Sequence, residues 1–447
     1  MAYTFSGGIH VEEYKNTRKC RIEALPPPAK VTIPLSQHIG APAAACVNVG
    51  DTVTLGQKIG DVAEGMLGCP VHSSVSGTVK EIVKKTLPTG AVVDHIVIEN
   101  DMLDTVSPDL HPTEKRLADV TPEEIVSVIR EAGIVGMGGA AFPTYAKINS
   151  AMGKVDKIIV NCAECEPFIT ANHRLLLEHG ASVINGVKIL LKALGVRTAF
   201  IAVEDNKMDA VEKLEELLGD SRMISVKVMK TKYPQGDERQ LVYALTGEEI
   251  PAGKLPADVG CVIFNAETCA AIYKAFSTGM PSVSRVVTVD GDCIRRPKNL
   301  LVPVGTSASD LIAFCGGLCR PPKKLVNGGP MMGAAQWDPE MPVTKSTSAV
   351  LVFSARFGRK NVAKPACIRC GRCVNHCPMH LMPMYIAQFS KIGDLKRAEE
   401  YGAMSCVECG SCSYNCPGGV EIVQHIRVAK AAIKTEKARI ASLNALK

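Results

Sequence analysis

Cys367-Ile-Arg-Cys370-Gly-Arg-Cys373-Val-Asn-His-Cys377-Pro378 and Cys406-Val-Glu-Cys409-Gly-Ser-Cys412-Ser-Tyr-Asn-Cys416-Pro417 are one pattern written twice. Three closely spaced thiolates take three irons of a cubane, and a ligand from elsewhere takes the fourth. Zinc also accepts four thiolates, but usually from paired CxxC units rather than triple runs closed by Cys-Pro. Two 4Fe-4S clusters are therefore expected on these eight residues. In two-cluster proteins of this spacing the fourth cysteine of each run serves the other cluster. One cluster is thus expected on Cys367, Cys370, Cys373 and Cys416, and the other on Cys406, Cys409, Cys412 and Cys377.

Between the runs, Pro378 to Met404 has helical apolar spacing, as does the tail after Val420. Residues 361–447 therefore read as an α-helical ferredoxin domain. Working backward, 336–360 is a linker carrying one strand, AVLVFSA (349–355). Residues 283–335 read as a small β-plus-helix insert: RVVTVDGD, NLLVPVG, a helix from Ser307 to Phe314, and a turn at Asn327-Gly328-Gly329-Pro330 to which its own residues assign no chemistry. Residues 110–282 alternate helices with short apolar strands, KIIVN (157–161), TAFIAVE (198–204) and ISVKVM (224–229). The helices are Pro122 to Ala132, capped by Thr121 with Glu124, a long one near 173–194, and one from about 237. That alternation predicts a Rossmann-like parallel α/β domain with ligands at the carboxyl ends of its strands. Residues 1–105 hold short β segments from Val31 to about Ile98. Their VxxGDxVxxGQxIG and VxSxVSGxV phrases resemble the halves of a biotinyl/lipoyl barrel sandwich. No lysine lies between Lys58 and Lys80 to carry a prosthetic group, so the expectation is a scaffold.

With 447 residues, 46% apolar and 21% charged, the whole is expected to be a multidomain α/β-plus-β protein with real cores. A net charge of +6, 4% aromatics and no basic block interleaved with stacking residues argue against nucleic acid. The opening residues show no basic leader or apolar stretch, and no run of about 18 apolar residues follows. Neither secretion nor membrane spanning is expected, so the 18 cysteines should be free or metal-bound in a reducing compartment. The ten outside the two runs read as small buried residues.

Three further stretches carry chemistry in the α/β domain. Gly133-Ile-Val-Gly136-Met-Gly138-Gly139-Ala-Ala-Phe142-Pro-Thr-Tyr-Ala-Lys147 offers backbone N–H groups and a cation to a phosphate, with a plain turn as the alternative. Asn161-Cys-Ala-Glu164-Cys-Glu166-Pro places an amide and two carboxylates at a strand's carboxyl end, suited to hydroxyls and ring edges unless it is simply a solvated acidic turn. Gly236-Asp237-Glu238 repeats that arrangement, and the two loops should share one sheet edge.

GMGGAAFPTYAK, NCAECEPF, YPQGDERQL and FNAET together resemble the flavin-and-NADH-binding subunit of respiratory complex I. The likeness implies an FMN site on Gly136, Gly138, Gly139, Lys147, Asn161, Glu164, Gly236, Asp237, Glu238, Asn265 and Thr268. It makes Glu166 the nicotinamide-side carboxylate and Phe142 the matching aromatic ring, with Glu166 and Glu164 as catalytic candidates. Ala163, Asp237, Phe264 and Phe168 depart from that pattern. From TFSGGIH, LPPP, IPLSQHIGAPA and VHSSVSG through NGGPMMG to the doubled cysteine run, the whole chain resembles the C-subunit family of Rnf complexes, the ion-translocating ferredoxin:NAD oxidoreductases. In that family the 283–335 insert corresponds to a soluble-ligand-binding β-grasp module.

The resemblance implies a peripheral electron-input subunit on the cytoplasmic face of the membrane. It would exchange electrons between NAD(H) and two 4Fe-4S clusters through FMN. Partners would be membrane and iron-sulfur subunits, with ferredoxin reached indirectly and the tail from Ile426 as a candidate docking helix. Relatives sharing the fold but serving other acceptors, a cobalamin reductase or a proline reductase electron carrier, stay open at this point, as does a non-enzymatic electron-relay adaptor.

Overall fold

A computed structural model describes residues 2–87, 90–357 and 365–445. The expected junction between linker and cluster domain near 360, and the last two residues of the expected docking helix, lie outside them.

Strands Lys157–Cys162, Thr198–Glu204, Ile224–Met229 and Cys261–Asn265 form a parallel sheet in the order Ile224, Thr198, Lys157, Cys261. Alternate residues serve opposite faces, as strand geometry requires. Ile158, Val160, Ile201, Val203, Val262 and Phe264 enter the core under helices Ala171–Leu194 and Ala266–Thr278. Ile159, Ala202 and Ile263 pack with Leu241 and Val242 of helix Glu238–Thr246 on the other face. A strand buried on both faces reads as a continuous apolar run, which is why KIIV is legible. The helix Pro122–Glu131 has the expected capping box, with the Glu124 N–H donating to Thr121 Oγ1 at 3.2 Å and the Thr121 N–H to Glu124 Oε2 at 2.8 Å. The helix expected from 173 runs Ala171–Leu194, bends at His179 and stops at the left-handed Gly195.

Gly186, midway along that helix, lies where a Cβ would overlap the Cys269 carbonyl of the neighbouring helix. Gly186→Ala should therefore force the two helices apart and destabilise the protein by roughly 1–3 kcal/mol, read as a lower melting temperature with the clusters loaded.

The N-terminal module is a four-stranded sheet, in the order Lys30–Pro34, Val92–Asn100, Gly77–Thr86, Thr52–Val53, facing the short strands Ala44–Ala45, Lys58–Asp61 and Val71–His72. Val31, Ile33, Val53, Ile59, Val71, Val79, Ile96 and Ile98 fill the space between them. A six-stranded sheet follows, in the order Ile22–Ala24, Lys298–Pro303, Ser284–Asp290, Ala349–Phe353, Lys324–Asn327, Ala334–Gln336. It takes in a strand from near the start of the chain, Ile22 pairing with Asn299. AVLVF, expected in a linker, lies inside the sheet and is buried throughout. Helix Ala308–Phe314, capped by Ser307, covers it.

The C-terminal unit is helical: Arg372–Asn375, Pro383–Lys391, Leu395–Glu400, Ser411–Tyr414 and Ile422–Ala445. Its sequence repeat is also a backbone repeat. Arg369 and Glu408, each two residues after the first cysteine of a run, have φ of 56° and 57°, and Gly371 and Gly410 are both left-handed helix caps. Residues 3–17 run as an arm across the α/β domain: Tyr3 bridges Met229, Ile9 bridges Tyr233, and the Gly8 N–H donates to the His376 carbonyl. Among the described residues no helix is long and apolar enough to cross a membrane.

Candidate functional site

The carboxyl ends of the four parallel strands place Asn161, Glu204, Met229 and Asn265 on one edge. The glycine-rich loop stands beside it. A bridge between Val135 and Pro143 and the Gly136 N–H bond to the Phe142 carbonyl, 2.9 Å, close that loop. Its Met137 peptide is held on both sides: the N–H donates to Thr268 Oγ1 at 3.0 Å, and the carbonyl accepts from Arg285 Nη2 at 3.1 Å. Gly138, Gly139 and Ala140 are exposed, and among the described residues their N–H groups have no protein acceptor. A Cβ on Gly139 would meet nothing within 4 Å, whereas one on Gly138 would lie 2.9 Å from Asn265 Nδ2. A run of unpartnered N–H groups beside open space is a cradle for an anion, so the loop fits a flavin phosphate. Lys147 stands at the same edge, its ammonium 2.8 Å from Glu238 and 2.9 Å from the Ile263 carbonyl.

Most other residues named from sequence shape the loops. Asn161 donates to the Gly236 carbonyl at 2.8 Å and accepts from the Ala163 N–H at 3.1 Å. Asp237 caps helix Glu238–Thr246, and burial raises its carboxyl to about 6. Asn265 caps the helix that carries Thr268. Glu164, held at a positive φ, accepts from the Asn172 and His173 N–H groups at the start of the long helix, 2.6 and 3.2 Å. Glu166 accepts from the Met331 and Met332 N–H groups at 3.0 and 2.8 Å. Burial pushes its carboxyl up to about 7, opposed by those two donors and by Lys15.

Sequence reasoning missed the groups that hold this edge in place. Lys15, on the arm, donates to the carbonyls of Glu164, Glu166 and Ile169 at 2.7, 2.9 and 2.7 Å. Lys207 does the same for Ala163 at 2.7 Å and pairs with the buried Glu204 at 2.8 Å. Both lysines act on backbone carbonyls, which no side-chain motif announces. Of the ten cysteines outside the runs, all expected to be buried, Cys46 and Cys319 are exposed and Cys20 and Cys165 half-buried. Cys165 accepts from the Gly236 N–H at 3.4 Å and so links the two acidic loops.

The cluster cysteines fall into two groups. Cys367, Cys370, Cys373 and Cys416 line one cavity, closed by Met384, Ala387, Val420 and Ile422. Cys377 lies instead within electrostatic reach of Cys406, Cys409 and Cys412. Among the described residues no three ligating side chains converge on one point as a single ion would need; each thiolate of a cubane binds a different iron, so its four sulfurs stay apart. The donor set, four thiols around one apolar cavity and four more grouped in the second run with Cys377, fits 4Fe-4S. Burial raises Cys406 to about 11, so iron binding there must displace a proton. The repeat extends to the sulfurs: the Arg369 N–H donates to Cys367 Sγ, and the Glu408 N–H to Cys406 Sγ, each at 3.4 Å. Arg427 and Lys430 pair with Glu408 at 3.0 and 2.6 Å and tie the last helix to the second run.

The second run touches the α/β domain. Tyr233 Oη donates to the Cys409 carbonyl at 2.6 Å, and Gln240 Nε2 to the Pro378 carbonyl at 3.3 Å. Ile9, Tyr233 and Cys409 form a small core together with Cys165, Met331 and Val407. The first run joins that contact only at its closing end, through the His376 and Pro378 carbonyls, while Cys367 and Cys370 are exposed.

Four family models match successive parts of the chain: RnfC Barrel sandwich hybrid domain over residues 3–103, Nuo51 FMN-binding domain over 129–274, SLBB domain over 286–335, and 4Fe-4S dicluster domain over 366–420. The chain is 42% identical over 437 residues to the C subunit of the Na(+)-translocating ferredoxin:NAD(+) oxidoreductase complex of Acetobacterium woodii, covering 97% of this chain and 98% of that one. It is 42% identical over 446 residues to the C subunit of the proton-translocating ferredoxin:NAD(+) oxidoreductase complex of Clostridium ljungdahlii, covering 98% and 97%. With the C subunit of the ion-translocating oxidoreductase complex of Rhodobacter capsulatus it shares 41% identity over 98% of this chain and 85% of that one. A crystal structure of an NAD+-reducing [NiFe]-hydrogenase in the air-oxidized state shares the fold at 20% identity, with a TM-score of 0.50, covering 72% of this chain and 62% of that one. The chain belongs to the C-subunit family of ion-translocating ferredoxin:NAD(+) oxidoreductase complexes, as an electron-transfer protein that joins an FMN-binding domain to a 4Fe-4S dicluster domain.

Proposed function

We propose that this chain is the NAD(H)-facing member of its complex, passing electrons between the nucleotide and partner subunits. One observation carries the reading: the acidic loop of the α/β domain and the second cysteine run share a packed core through Cys165, Met331, Tyr233 and Cys409. When bound, FMN supplies the conversion between two-electron hydride chemistry and one-electron transfer. The chain's own residues do the rest. Gly138, Gly139 and Lys147 hold the phosphate end, with Gly136, Asn161, Gly236, Asp237, Asn265 and Thr268 fixing the loops around it. Glu238 neutralises Lys147 when no phosphate is present. Glu166 and Phe142 bound the nicotinamide side, and Glu164 anchors the loop that carries Glu166.

Cys406, Cys409, Cys412 and Cys377 would hold a cluster next to the α/β domain, placed to be the first to exchange electrons with a bound flavin. Cys367, Cys370, Cys373 and Cys416 would hold the second nearer the surface, placed to serve an iron-sulfur partner and through it ferredoxin. Attachment to the cytoplasmic face of the membrane comes from partner subunits, and ion movement belongs to them.

An anaerobic NADH titration of the loaded protein tests this, following flavin absorbance and the EPR of the reduced clusters together. Flavin bleaching followed by two cluster signals is the expected result. Bound flavin and clusters that both ignore NADH would overturn it.

A further inference from the structure

Both oxygens of Glu166 are held by backbone donors from a different module, 165 and 166 residues further on. The loop that supplies them, Asn327 to Gly333, is shaped for this contact. Gly328 turns the chain at φ 91°. A Cβ on Gly329 would overlap the Glu166 carboxyl, and one on Gly333 would overlap the Gly329 carbonyl. Lys15 pins the Glu166 peptide from the other side, 2.9 Å from its carbonyl. A glutamate normally turns freely about three side-chain bonds, whereas two N–H bonds, one to each oxygen, fix the carboxylate plane as well as its position.

We infer that the Asn327–Gly333 loop is a positioning element of the nucleotide site: the Met331 and Met332 N–H groups set the orientation of the Glu166 carboxylate, making the β-grasp module a working part of the hydride-transfer site. This rests on the proposal that Glu166 bounds the nicotinamide side. The donors belong to the backbone, and the close approach that lets them reach both oxygens depends on the glycine at 329. The same loop reaches the second cysteine run, since a Cβ on Gly410 would lie 3.4 Å from the Met331 carbonyl. The module thus meets the nucleotide site and the adjoining cluster loop at once.

The test uses the full, cluster-loaded chain with Gly329→Ala and Glu166→Gln. Steady-state NADH oxidation with a one-electron dye gives KM and kcat, and light-driven reduction by EDTA reads flavin and clusters without NADH. Gly329→Ala should raise KM for NADH at least about tenfold, a loss of the size expected for misplacing one charge-assisted hydrogen-bonded group. Photoreduced cluster signals should be unchanged in Gly329→Ala and Glu166→Gln. If Glu166→Gln impairs NADH oxidation while Gly329→Ala does not, the positioning role is wrong and the reading of Glu166 stands. If Glu166→Gln itself behaves as wild type, that reading fails and the inference falls with it. Should Gly329→Ala lose flavin or clusters, Met332→Pro, which puts a ring carbon where the N–H donor to Glu166 Oε1 stood, is judged by the same criteria.

Discussion

Replacing Cys367 and Cys416 together should cost one cluster, not two. Iron analysis of the Cys367→Ala/Cys416→Ala protein should return about four irons per chain instead of about eight, with the EPR signal of the cluster beside Tyr233 retained and NADH still bleaching the flavin. The two cysteines stand 49 positions apart in different runs, yet they line the same cavity with Cys370 and Cys373. If each run closed its own cubane, the double variant would damage both clusters, and no signal of full strength would survive. The pair Cys377→Ala/Cys406→Ala gives the complementary result: the surface cluster persists but no longer receives electrons from NADH, because the cluster that adjoins the α/β domain is gone.

Arg285→Met should be the most destabilising single change outside the cysteines. Arg285 is 1% exposed and pairs at 3.1 Å with Glu267, itself 9% exposed. Burial alone raises the Glu267 carboxyl and lowers the Arg285 guanidinium, and each opposes the shift of the other. Removing one member of such a pair leaves a buried charge with no partner, at a cost of about 3–5 kcal/mol. The Glu267→Gln/Arg285→Met protein should recover part of that loss, because both charges have gone. The effect has a second readout. Arg285 also holds the Met137 carbonyl, so the single variant should release FMN more readily even where it remains folded. Melting temperature and flavin retention on gel filtration measure the two consequences separately.

Sequence reading reached furthest where the determinants are local. The capping box at Thr121 and Glu124, the alternation in the parallel strands and the spacing of the cysteine runs each depend on neighbours within a few residues. The strand Ile22–Ala24 escaped because nothing in Ile-Glu-Ala marks it. It exists through parallel pairing with Lys298–Pro303 across more than half the chain. In the nucleotide site the motif residues were legible as a set, but the division of labour among them was not. Glu164 and Glu166 read alike in Ala-Glu-Cys-Glu, yet one caps a helix in its own domain and the other is held by the β-grasp loop. Lys15 and Lys207 were invisible for the same reason, since their partners are main-chain carbonyls. Asn-Gly-Gly-Pro-Met-Met-Gly was readable as a turn and as part of a family likeness, but not as a pair of donors, because its donors are main-chain too.

The arm of residues 3–17 also bears on how the protein is made. It is synthesised well before several of its resting places: Met229 and Tyr233 for Tyr3 and Ile9, and the carbonyls of His376 and Cys377 for Gly8 and Gly7. Contacts of such long sequence separation close late, so the turn at Gly7 and Gly8 stays unseated until the last domain has been translated and its cysteine loops have settled around iron. Lys15 needs no iron, because the three carbonyls that it holds belong to the α/β domain. Iron loading would then seat the turn and leave the acidic loop as it was. Chains short of iron would be recognisable by a turn at Gly7 and Gly8 open to proteolysis.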